Sequence, residues 1–89
     1  MNYFREWVTK ELRYPENAAK EKISGRVFVQ FAVNSYGKVV DVKVVRSVHP
    51  DLDAEAVRVI KSSPNWRPGK QRGIPVKVQF TFPVVFVLQ

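Results

Sequence analysis

The chain has 89 residues and a formal charge of +7, from 15 lysines and arginines against 8 acids, and it contains no cysteine. A chain this short hides only about 60 to 65% of the surface its unfolded form exposes, which argues against a large enclosed active site and favours binding on a surface. The absence of cysteine excludes disulfides, thiol nucleophiles and cysteine-ligated zinc.

In chain order, Phe4, Trp7, Val8 and Leu12 recur at helical spacing while Arg5, Glu6, Thr9, Lys10 and Arg13 take the other side, so a short amphipathic helix comes first. Tyr14-Pro15 breaks it. Pro15 suits the first turn of a second short helix reaching Lys22, because its missing N–H has no helical partner there. From Arg26 the period falls to two. Val27, Val29, Phe31 and Val33 form one face of a strand, Asn34-Ser35-Tyr36-Gly37 a turn, and Val40, Val42 and Val44 the returning strand. Gly37 fits a turn position that needs positive φ.

Pro50-Asp51-Leu52-Asp53 opens the main helix, with Leu52, Ala56, Val59 and Ile60 on its apolar face. Asp51, Asp53 and Glu55 crowd its start and Arg58 and Lys61 its end, as the helix dipole favours. Pro64 to Gly73 reads as a loop. The last strand then carries Val76, Val78, Phe80 and Phe82 on one face and Lys77, Gln79 and Thr81 on the other, bracketed by Pro75 and Pro83. Proline cannot donate to a ladder, so this strand is expected at a sheet edge, where an extended peptide can add. The fold class is α+β: a two-layer sandwich with a three-stranded antiparallel sheet packed against helices.

Up to Ala56, nine bases meet all eight acids; after Glu55 come Arg58, Lys61, Arg67, Lys70, Arg72 and Lys77 with no acid among them. This asymmetry places the positive field in the C-terminal third and suits an anionic partner. Catalysis is poorly supported. His49 has Asp51 and Asp53 near it but no nucleophile in the pattern, and the three acids lack the spacing and glycine of a calcium loop. No enzyme activity, metal or cofactor is expected. Phe28-Val29-Gln30-Phe31 echoes part of an RNA-binding signature, but Arg26 stands where an exposed aromatic is needed and no aromatic strand precedes the first helix, so nucleic acid is not the expected partner. No stretch approaches the ~20 apolar residues of a membrane span.

Tyr14-Pro15 with Ala18, Ile23-Ser24-Gly25-Arg26-Val27, Gly37-Lys38-Val39-Val40, Leu52-Asp53 with Ala56, Trp66-Arg67-Pro68-Gly69 and Gly73-Ile74-Pro75-Val76 follow one another in an order that resembles the TonB C-terminal domain family. The resemblance runs from about Tyr14 to Leu88, with residues 1–13 as a preceding helix on a single domain of 1–89. One departure is that Arg67 runs straight into Pro68, where many members carry an intervening aromatic.

The resemblance implies a periplasmic domain that binds the TonB box of outer-membrane transporters by strand addition and couples the inner-membrane proton-motive force to uptake of iron chelates or vitamins. An N-terminal membrane helix outside this chain would anchor it and meet the proton-channel partners. The docking strand by motif is Val76, Lys77, Val78, Gln79, Phe80, Thr81 and Phe82. Arg13, Tyr14 and Pro15 would lie beside the guest, Arg67, Lys70 and Arg72 would supply charge, Gly25 and Gly37 would be turns, and Trp66 would pack beneath the basic loop. The alternative role is an envelope signalling or scaffold domain without energy coupling, and an unoccupied edge also permits a homodimer.

Overall fold

The computed structural model describes residues 2–66 and 69–88. The order is α1 (Asn2–Glu11), α2 (Glu16–Lys20), β1 (Gly25–Val33), β2 (Val39–Arg46), α3 (Pro50–Lys61), β3 (Gly69–Gln71), β4 (Ile74–Val76) and β5 (Val78–Phe86). Three strands form an antiparallel sheet in the order β2-β1-β5, and β3 pairs with β4 in a separate hairpin. The expected α+β sandwich is present.

The period-two pattern determines which face is buried. Val27, Val29, Phe31 and Val33 of β1 lie beneath the helices with Phe82, Val84 and Phe86 of β5. Leu52, Ala56, Val59 and Ile60 of α3, Phe4 and Val8 of α1, and Ala18 of α2 complete one core. All three helices therefore share one side of the sheet, and Arg26, Lys43 and Arg46 are exposed on the strands. Arg46 covers the Phe28 ring at 5.8 Å from its centroid, shielding an aromatic on the helix-free face.

Two turns depend on backbone freedom. Gly37 has φ of +85°, and a Cβ there would collide with the Trp66 carbonyl oxygen. The Trp66 N–H donates to the Gly37 carbonyl at 2.7 Å, so the β1–β2 turn and the loop after α3 are joined at this point. The β3–β4 turn uses Arg72 at +53° and Gly73 at +76°, both left-handed as a two-residue hairpin turn requires.

Several boundaries differ from the sequence reading. The second helix stops at Lys20, and Pro15 stands just before it at its N-cap instead of in its first turn. The segment from Pro64 to Gly73 is not all loop, because its end builds β3. Gly25 begins β1 instead of forming a turn. The last strand is Val78–Phe86 instead of Val76–Phe82: Val76 belongs to β4, Lys77 joins β4 to β5, and Pro83 lies inside the strand opposite Phe28. An edge strand tolerates a proline whose nitrogen faces away from its neighbour, so Pro83 does not end it.

Candidate functional site: the free edge of β5

The two edges of the sheet are unequal. β2 is interrupted by two register shifts against β1, and Asp41 within it has φ of +56°. Bulges of this kind twist an edge and discourage further pairing. β5 pairs with β1 through nine consecutive residues, from Gly25 opposite Phe86 to Val33 opposite Val78, without a shift. Its other side has no neighbouring strand among the described residues.

Pro83 fixes which backbone groups that side presents. In an unbroken ladder the nitrogen that lacks a hydrogen belongs on the outer side, so the odd-numbered residues direct their backbone groups away from β1. Gln79, Thr81 and Val85 offer N–H donors, and the same residues with Pro83 offer carbonyls. The even-numbered residues pair inward, and their side chains run from half-buried Val78 and Phe80 to buried Phe82, Val84 and Phe86.

Helix α1 turns part of this edge into a groove of about 340 Å³. Arg5, Thr9 and Leu12 line it from the helix, and Phe82, Pro83 and Val85 from the strand; Val8 and Arg26 complete the lining. Phe4 holds the helix in place, with its ring centroid 4.6 Å from Trp66, 4.9 Å from Phe82 and 5.7 Å from Phe31. At its other end α1 is stapled to α3. The Arg58 guanidinium donates to the Glu11 carbonyl at 3.1 Å and makes two bonds to Glu55, while the Arg13 backbone N–H donates to Glu55 Oε2 at 2.7 Å. Burial alone raises the Glu55 carboxyl, but the Arg58 and Arg13 hydrogen bonds and charges outweigh it and hold the group below its ordinary value of 4.5.

The residues singled out in the sequence are spread over the fold. Gln79, Phe80, Thr81 and Phe82 lie on β5, with Gln79 and Thr81 exposed. Lys77 lies just before it, and its Nζ meets Asp41 Oδ2 at 2.5 Å, an ion pair that spans β1. Tyr14 packs edge-on against Phe86 at 5.6 Å, and its hydroxyl donates to the Ile23 carbonyl, so it braces the far end of β5. Arg13 and Pro15 instead border a shallow surface with Asp51, Glu55 and Arg58. Lys70 and Arg72 ride on the hairpin before β5, about 27 Å of strand away from Tyr14. Arg67 lies outside the described residues. Trp66 packs among Phe4, Phe31 and Phe80, and its indole N–H donates to Ser63 Oγ at 2.9 Å. His49 is the N-cap of α3, its Nδ1 accepting from the Asp51 N–H at 3.2 Å.

Sequence reasoning missed the second half of the edge, Pro83 and Val85, and the groove residues Arg5, Leu12 and Arg26. One signal was available: large apolar residues continue at every second position through Val84 and Phe86. The groove had none, since it depends on where α1 docks.

Residues 10–88 match the family described as Gram-negative bacterial TonB protein, C-terminal. The chain belongs to this TonB C-terminal family. Protein TonB of Helicobacter pylori strain ATCC 700392 / 26695 is 33% identical over 76 residues, covering 84% of this chain and 27% of that protein; the protein of strain J99 matches to the same extent. The chain thus spans about a quarter of the length of these curated TonB relatives. Two solution structures of the H. pylori TonB C-terminal domain share 27% identity with it. One gives a TM-score of 0.77 over 97% of this chain and 78% of that one, the other 0.72 over 96% and 89%. Coverage of 97% takes in much of α1, most of which precedes the residues that match the family.

Proposed function

We propose that this TonB-type domain captures a short extended segment of an outer-membrane transporter, the TonB box, as a fourth strand on β5. In this reading it is the periplasmic end of a transducer that is anchored in the inner membrane by a preceding helix. It carries work drawn from the proton-motive force to uptake of iron chelates or vitamins. It has no catalytic role. The observation that carries the reading is the nine-residue, unbulged free edge of β5, beside a second edge that is guarded. About five backbone hydrogen bonds at a net ~1 kcal/mol each, set against several kcal/mol of association cost, give reversible binding. A coupler that must let go is served by such an affinity.

The test is titration of the isotope-labelled domain with a synthetic TonB-box peptide. The amides of Gln79, Thr81 and Val85 are expected to shift first and to become protected from exchange, while those of Phe80, Phe82 and Val84 are protected before and after. No binding at millimolar peptide, or shifts confined to β2 or the α3 surface, would overturn the proposal.

A further inference from the structure

We propose that the groove between α1 and β5 reads carboxylates in the guest segment, Arg5 taking one on the helix side of the guest strand and Arg26 one on the helix-free face, while an apolar side chain on the helix side rests on Val8, Leu12 and Phe82. This rests on strand capture at β5 and adds a chemical preference to it. A guest paired to the second half of β5 has to pass through the groove, because α1 and the strand line it together. The lining holds two guanidinium groups and no carboxylate. Neither guanidinium takes part in an ion pair among the described residues, whereas Arg58 and Lys77 are both engaged. The α1 residues that reach the groove alternate in chemistry along one helix face, Arg5 at one end and Leu12 at the other, so a polar and an apolar site lie side by side. Guest side chains alternate between the two faces of the sheet, so a carboxylate makes charge-assisted bonds with Arg5 or with Arg26 according to its position, and an amide of the same shape does not. Arg5 precedes the residues that match the family, so this half of the reader belongs to the chain's own helix.

The experiment uses the 89-residue chain and fluorescein-labelled nonapeptides of alternating valine and threonine. One glutamate is stepped through the sequence, and each peptide has a glutamine twin. Fluorescence anisotropy is expected to show at least one glutamate position binding about five- to tenfold tighter than its twin at low salt, with the gap closing in 0.5 M salt. The double variant Arg5→Gln, Arg26→Gln should bind each glutamate peptide no tighter than its glutamine twin. A control with the same charge loss, Lys38→Gln with Lys61→Gln, should keep the preference. Equal binding of every pair by the unaltered chain, or a preference lost equally in the control, overturns the carboxylate reader. If Thr81→Pro, shown folded by its amide spectrum, still abolishes binding of both peptide types, strand capture survives that failure. If Thr81→Pro binds as well as the unaltered chain, strand capture and the carboxylate reader fall together.

Discussion

Glu55 carries more structure than its place in the sequence suggests. It looks like one of three acids favoured by the start of α3, yet its carboxylate takes the Arg13 N–H and the Arg58 guanidinium and so fixes the end of the helix that walls the groove. Asp53 likewise accepts from the Val48 N–H at 3.2 Å and from the Ser47 hydroxyl, tying the end of β2 to α3. No periodicity reveals such pairings: Arg13 lies 42 residues from Glu55, and Ser47 and Val48 reach Asp53 only through the turn between β2 and α3. Because the Glu55 pKa is lower in the folded chain than its ordinary 4.5, its contribution is fully present above pH 4.5 and fades as pH falls through the folded value. Glu55→Gln should therefore cost about 1 kcal/mol of stability at pH 7, the worth of one charge-assisted bond at a partly exposed site. In urea melts the gap between variant and parent should narrow as pH is lowered from 5 to 3.

At the level of elements, the strands facing the core were legible because each follows a simple alternation under one helical layer, and α3 was legible because its apolar face and Pro50 agree. The β3–β4 hairpin was not. Its turn places Arg72 in a left-handed conformation usually left to Asn, Asp or Gly, and its strands are only three residues each. The end of β5 was misread for a related reason: proline is a stop signal only where its nitrogen faces a neighbour. That rule yields a paired prediction. Thr81→Pro, with its nitrogen outward, should fold and lose peptide capture; Phe82→Pro, with its nitrogen toward β1, should break the ladder and unfold the sheet. Circular dichroism and peptide titration on the two variants check it. An unfolded Thr81→Pro or a stable Phe82→Pro would show that the outward set is misassigned, and a folded Thr81→Pro that still binds would overturn strand capture.

Over the whole molecule, counting charge along the chain located the field imperfectly. Of the C-terminal bases, Arg58 is spent on Glu55 and Lys77 on Asp41, while Lys61, Lys70 and Arg72 are exposed on the end of α3 and the hairpin. The bases that line the edge groove, Arg5 and Arg26, come from the part of the chain that looks nearly neutral in sequence. Sequence order could not show this, since pairing and proximity are made by the fold. A net +7 spread over a body 49 × 22 × 15 Å should still steer an acidic guest. For a guest whose acids lie outside the groove, raising salt is expected to slow association in stopped-flow measurements more than it speeds release, because backbone bonds hold that complex and charge brings it together. A release rate that rises as steeply as the association rate falls would instead place the charges within the grip itself.

The unbroken pairing of β5 with β1 also has a mechanical consequence. A guest lying along β5 and pulled along its own length loads its hydrogen bonds in shear, all together, and β5 passes that load to β1 through nine paired residues in the same geometry. Pulled sideways, the same bonds would open one at a time. A contact that is weak at rest can therefore bear tension along one axis and peel away along another, and the direction of the strand sets which of the two occurs.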